Sequence, residues 1–173
     1  MTPQNIVVRP AEERDFAAVL RLNNSAVPHV NALSAEQFHW LVTHVDYFRV
    51  YDSDDGVLGF VFALSNGTEY WSANYAWFGE RYDEFLYLDR IVVADGERRT
   101  GVGRALYADV RAIATGRWPR VTLEVNLRPP NPGSLRFHER MGFQEIGVRE
   151  SDDGEKAVVM MELPLNNDSS AKR

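Results

Sequence analysis

Leu88-Asp89-Arg90-Ile91-Val92-Val93-Ala94-Asp95-Gly96-Glu97-Arg98-Arg99-Thr100-Gly101-Val102-Gly103-Arg104-Ala105-Leu106 joins two patterns of different period. Upstream, Phe85 to Val93 is aromatic and β-branched and reads as a buried strand; downstream, Val102, Leu106, Val110 and Ile113 recur at helical spacing. The turn between them therefore lies at a helix N-terminus, where N–H groups without intrahelical acceptors and the positive end of the dipole favour an anion. Gly101 and Gly103 remove Cβ atoms that would hold an anion off those amides, and Arg98, Arg99 and Arg104 surround them. Two phosphate loops are excluded: the third glycine of a dinucleotide-binding turn is missing, and no Gly-Lys-Ser/Thr follows.

At 173 residues and 45% hydrophobic content the chain suits one domain with a sizeable core, expected over residues 1–165, with 166–173 as a disordered tail. A net charge of -6 argues against a nucleic-acid partner, which needs a basic face to release counterions. The absence of cysteine removes disulfides, a thiolate nucleophile and the commonest zinc sites. The four histidines, His29, His39, His44 and His138, form no His-Glu-x-x-His pattern, so no metal site is expected. No basic-then-apolar leader opens the sequence, and no apolar run approaches the ~20 residues of a membrane span. A cytoplasmic protein without a membrane partner is the default expectation.

From the N-terminus, Ile6 to Pro10 reads as a strand, and Phe16, Val19, Leu20 and Asn23 share a helix face that stops at Asn23-Asn24-Ser25. Val27 to Leu33 is a connector. Ser34 to Gln37 is a capping box for a second helix carrying Phe38, Leu41, Val42 and Val45. Tyr47 to Tyr51 and Val57 to Leu64 read as antiparallel strands around the turn Asp52-Ser53-Asp54-Asp55-Gly56. Beyond the central helix, Val121 to Asn126 is a strand and Leu127 to Gly133 a proline-rich loop. Ser134 to Met141 is a short helix closed by Gly142 and Phe143, and Phe143 to Glu150 and Ala157 to Leu165 form a hairpin.

Ser65 to Glu84 shows no convincing period and is long for a structureless connection. Its six aromatics, Tyr70, Trp71, Tyr75, Trp77, Phe78 and Tyr82, either extend the core or wall a pocket. The pocket reading is preferred, with Tyr70, Trp71 and Tyr75 facing an acceptor. The element order gives an α/β (α+β) fold: a mixed, mostly antiparallel central sheet with helices on both faces.

Two motifs carry a resemblance. Arg98-Arg99-Thr100-Gly101-Val102-Gly103 after Ile91-Val92-Val93 resembles the acyl-CoA pyrophosphate loop of the GNAT superfamily of N-acyltransferases. Asn131-Pro132-Gly133-Ser134-Leu135-Arg136-Phe137-His138-Glu139-Arg140-Met141-Gly142-Phe143 resembles that superfamily's second signature, an asparagine followed by a short helix ending in Gly-Phe. The resemblance implies a GNAT-like fold and acetyl-CoA as acyl donor. It also implies that Ile91, Val92 and Val93 pair with the pantetheine arm, that the loop Arg99 to Arg104 wraps the pyrophosphate, and that Asn131 contacts the arm. The family often has tyrosine four residues before the closing glycine, where this chain has His138.

Acetyl transfer to an amine needs a base for an ammonium of pKa near ~10, a donor for the oxyanion and, for the departing thiolate, a proton. A backbone N–H at the end of the Ile91–Val93 strand is the expected oxyanion donor. Thr122, Glu124 and Asn126 share one face of their strand, where a carboxylate is not needed for packing, and the resemblance also implies a glutamate base at Glu124. Asp89, alone in an apolar strand, is the rival; it serves either as base or as partner of a neighbouring arginine. His138 either donates a proton to the thiolate or fills the helix–sheet junction by bonding a backbone carbonyl. His29 lies in the connector where this fold places acceptor contacts, although a loop histidine is often merely solvated. His39 and His44 receive no role.

The sequence is therefore read as an acetyl-CoA-dependent N-acetyltransferase acting on a primary amine, by direct attack in a ternary complex. A small molecule and a protein amine both stay open as acceptor, as does a homodimer. The alternatives are a non-catalytic acyl-CoA-binding sensor or regulatory module and, last, a nucleotide-binding regulator.

Overall fold

The structure, a computed structural model, describes residues 6–165; the expected tail at 166–173 lies outside them. Seven strands follow the order β1-β2-β3-β4-β5-β7-β6. They are β1 (Val7–Pro10), β2 (Tyr47–Ser53), β3 (Gly56–Ser65), β4 (Leu86–Val93), β5 (Arg120–Arg128), β6 (Gln144–Glu150) and β7 (Ala157–Pro164). The helices are α1 (Phe16–Ser25), α2 (Ala35–His44), α3 (Ala73–Gly79), α4 (Val102–Ala114) and α5 (Pro132–Arg140). β4 and β5 are parallel, while β1–β2, β2–β3, β5–β7 and β6–β7 are antiparallel. This is the mixed, mostly antiparallel sheet with helices that the element order predicts.

The described residues divide into two compact units, one of 6–64 with 88–112, the other of 65–87 with 113–165. In the first, Phe16, Phe38, Phe48 and Phe62 pack ring to ring, with centroids 4.3 to 6.5 Å apart. The capping box of α2 forms as its sequence requires: Gln37 N–H donates to Ser34 Oγ at 3.1 Å and Ser34 N–H to Gln37 Oε1 at 3.0 Å. Arg9 grips Asp15 through two bonds of 2.7 and 2.9 Å and reaches Asp52 at 2.9 Å, tying β1 to β2 and to the entry of α1. Those bonds hold the Asp15 carboxyl below the usual carboxylate range.

In the second unit, α3 lies in the stretch for which the sequence shows no period. Ser72 Oγ caps it by accepting from Tyr75 N–H at 3.2 Å. Tyr75 and Phe78 are buried, but Asn74 and Trp77 on the neighbouring stripe are half-buried as well. A seven-residue helix covered on two stripes has no clear polar face, which is why its period was hidden. α5 begins at Pro132, two residues before Ser134, because Asn131 Oδ1 accepts from Ser134 N–H at 3.3 Å and proline suits the first helical position. Gly142, at φ 98°, closes the helix, with Phe143 N–H donating to His138 O at 3.0 Å.

Candidate active site

In the first unit, β4 ends at Val93, and Ala94 N–H donates to Leu58 O at 2.9 Å. A 3-10 turn over Asp95–Glu97 follows, and Thr100 Oγ1 donates to Glu97 O at 2.6 Å. Gly101 O accepts the first helical bond, from Ala105 N–H at 3.0 Å, so the chain enters α4 at Gly101. The positive φ values fall at Arg99 (71°) and Gly101 (101°), while Gly103 already belongs to the first turn of α4. A left-handed arginine is uncommon, and nothing in the residue order marks it.

Arg98, Arg99, Thr100, Gly101 and Arg104 are exposed, whereas Val102 is buried and anchors the helix start. Arg98 meets Asp95 at 3.1 Å in a solvent-exposed pair worth little. A Cβ built on Gly101 would find nothing within 4 Å, so the loop backbone there is open to an approaching ligand. Val92 is buried and Ile91 and Val93 are half-buried. One supporting residue escaped the sequence reading: a Cβ on Gly59 of β3 would lie 2.9 Å from Val102 Cγ1 and 3.0 Å from Val92 O. Glycine in a strand interior often marks such close approach, and that was the available signal.

Asp89 and Arg90 sit on the same strand, with Arg90 Nε donating to Asp89 Oδ2 at 2.6 Å and both side chains under a tenth exposed. Arg90 NH1 also donates to Asn23 Oδ1 at 3.0 Å and to Asn31 O at 3.2 Å. Asn23 is fully buried and donates to Asn31 O at 3.2 Å, and Asn24 Oδ1 accepts from Leu33 N–H at 2.9 Å. The Asn23-Asn24 pair in the last turn of α1 thus also clamps the connector. His29 on that connector is exposed, its backbone N–H bonded to Ala26 O.

The second unit gathers side chains around Glu124. Register places Glu124, Met160 and Gly147 in one row across β5, β7 and β6, with Asn126, Val158 and Arg149 two rows on and therefore on the same face. Pairing of β4 with β5 puts Tyr87 beside Thr122. Tyr87 OH donates to both oxygens of Glu124, each at 2.8 Å, and Asn74 Nδ2 donates to Oε1 at 3.0 Å. Arg149 NH1 in turn donates to Asn74 Oδ1 at 3.3 Å. Helix α3 lies on this face, since Trp77 Cζ2 would be 2.9 Å from a Cβ on Gly147. Tyr87, Asn74 and Arg149 come from three elements far apart in sequence, and no local motif announces them.

The predicted acceptor aromatics separate. Tyr75 is buried; its hydroxyl donates to Ser65 O at 2.6 Å and accepts from Thr68 N–H at 2.9 Å. Trp71 is 52% exposed and packs on the Tyr70 ring, whose centroid lies 6.5 Å from that of Tyr87. His138 is buried, its Nδ1 2.7 Å from Ser134 O and its ring edge-on to Phe137 and Phe143. Burial pushes its pKa below the ordinary value.

The Acetyltransferase (GNAT) family model matches residues 19–143, and the chain belongs to that family of acyl-CoA-dependent acetyltransferases. Solved structures share the fold. The ribosomal-protein-S18-alanine N-acetyltransferase from Escherichia coli is 16% identical, with 97% of this chain and 99% of that one covered at a TM-score of 0.68. NAA60 of Arabidopsis thaliana, solved with a bisubstrate analogue, is 19% identical over 94% and 99% at 0.71. A putative phosphinothricin N-acetyltransferase is 22% identical over 93% and 99% at 0.69. No curated protein matches the sequence. Among the described residues no helix is long and apolar enough to cross a membrane.

Proposed function

We propose that this acetyltransferase transfers the acetyl group of acetyl-CoA to a primary amine by direct attack, with Glu124 as the base. The observation that carries the reading is the seating of Glu124: a carboxylate on a strand face, oriented by the Tyr87 hydroxyl and the Asn74 amide. Fixing a base this way restricts its rotamers without neutralising it. Glu124 takes one ammonium proton; the freed amine adds to the thioester carbonyl, and the tetrahedral adduct collapses with loss of the C–S bond, its second nitrogen proton passing to the departing thiolate directly or through solvent.

Acetyl-CoA supplies the activated acyl group. The open backbone at Gly101, the exposed Arg98, Arg99 and Arg104 and the start of α4 form a cradle of the right charge for its pyrophosphate. Ile91, Val92 and Val93 are assigned to the pantetheine arm, with a backbone N–H of this stretch as oxyanion donor. Asn131 is assigned to the arm as well, although its side chain caps α5. Trp71 and Tyr70 offer the acceptor an aromatic surface, as His29 offers an exposed imidazole.

Asp89 is assigned the structural role, since a carboxylate held in a buried pair with Arg90 braces the connector. His138 is assigned to packing of α5, since its ring is buried and its Nδ1 engaged by Ser134 O. The test is thiol release from acetyl-CoA with an amine panel. Glu124→Gln should lower turnover at unchanged acetyl-CoA affinity, with a loss that shrinks as pH rises and free amine becomes abundant. A silent Glu124→Gln beside an inactive but folded Asp89→Asn would move the base to Asp89.

A further inference from the structure

Two arginines on strands of the second unit, Arg120 and Arg149, are half-buried, and their surroundings differ. Arg120 Nε meets Glu162 at 3.3 Å and its guanidinium lies 3.8 Å from the centre of the Tyr82 ring. Arg149 is bonded, among the described residues, to a neutral group, Asn74 Oδ1. Taking a guanidinium partly out of water without an anion is costly, so a counter-charge at Arg149 is worth more than at the surface. The same Asn74 amide donates to Glu124 Oε1 at 3.0 Å. A cation and an anion therefore stand at the two ends of one side-chain amide.

We infer that the acceptor is a free amino acid or a similar amino carboxylate, its carboxylate bound by Arg149 and its amine presented to Glu124. This rests on Glu124 being the base. The charges match in sign and order: a zwitterionic α-amino acid carries its ammonium and its carboxylate on one carbon, a separation of the scale of the amide that spans Arg149 and Glu124. The planar guanidinium can take a carboxylate through two parallel N–H···O bonds, a geometry that a lysine would not supply. A peptide N-terminus has a neutral carbonyl at that place and leaves Arg149 without an anion. Asn74, touching both charged ends, is the residue that sets their spacing.

The experiment compares each L-amino acid with its own primary carboxamide as acceptor, at saturating acetyl-CoA, by thiol release. The acid should exceed its amide in kcat/KM by about tenfold or more for at least one side chain, the size of a charge-assisted hydrogen bond. Arg149→Gln should bring that ratio near unity, and Arg149→Lys, which keeps the charge but loses the fork, should leave it intermediate. If Arg149→Gln does not fold, the lowered ratio in Arg149→Lys carries the test. Amides or peptide N-termini used as well as acids would overturn this inference and leave the Glu124 reading standing. A ratio that survives in both variants would overturn the role of Arg149. No thiol release with any amine would overturn the proposed reaction itself.

Discussion

The loop before α4 and the cluster around Glu124 are built in opposite ways. The loop is contiguous, exposed and made largely by backbone: a left-handed Arg99, a left-handed Gly101 and the N–H groups of a helix start. The cluster is discontinuous and half-buried, and made by side chains, with Glu124, Tyr87, Asn74 and Arg149 drawn from three strands and a helix. A backbone site spreads its attraction over many amides and mobile cations, so the loss of one side chain is tolerated. A side-chain site concentrates its chemistry in single groups held by named bonds, so each loss is felt in full.

The sharpest test of that difference is Glu124→Gln, which should reduce kcat by about 10²- to 10⁴-fold, the usual contribution of a positioned base. Acetyl-CoA affinity by calorimetry should hold. A loss below threefold would make the cluster as tolerant as the loop and break the comparison.

Within the aromatic segment, Tyr75→Ala should cost about 3 to 5 kcal/mol in denaturant unfolding, because it empties a core position and orphans two backbone groups. Trp71→Ala should leave the melting temperature nearly unchanged and raise the acceptor's KM. The same effect in both variants, on stability or on the acceptor's KM, would return the whole segment to one role.

At the loop, the backbone should matter more than any one cation. Gly103→Val should weaken acetyl-CoA binding by about 100-fold or more with the fold retained, since a branched side chain would stand at the helix start where the anion approaches. Arg98→Ala, Arg99→Ala or Arg104→Ala alone should each cost roughly tenfold or less, with a weaker salt dependence than the parent. A single arginine as costly as Gly103 would show that the loop too is a side-chain site.

The smallest effect concerns His138. Its pKa is depressed in the folded state, so the unfolded chain binds the proton more tightly, and stability is full above the ordinary value of 6.5 and falls as pH drops through it. His138→Gln should flatten that slope in urea titrations between neutral and mildly acidic pH. An unchanged slope would place its protonation outside the folding equilibrium. If instead His138→Ala abolished turnover while His138→Tyr restored it, the imidazole would belong to the reaction.

What the residue order determined is whatever depends on neighbours along the chain. The change from strand to helix period across Leu88 to Leu106, the Ser34–Gln37 box, the hairpin around Asp54 and the left-handed Gly142 are all local, and each appears where the pattern requires. Helix α3 was hidden for the complementary reason, since Asn74 and Trp77 are covered by β5 and β6 and only that packing makes its second stripe internal. Glu124 could be picked out by its strand face, but Tyr87, Asn74 and Arg149 could not. Their meeting depends on the parallel pairing of β4 with β5, on the β5–β7–β6 register and on α3 lying on that face. Asp89 likewise offered the sequence two meanings, and its bond to Arg90 together with the hold of Arg90 on Asn23 and Asn31 was decided by the folded unit. Local periodicity and capping are short-range energies written in consecutive residues, whereas the partners of a half-buried charge are fixed by strand register and helix docking, which the whole unit determines together.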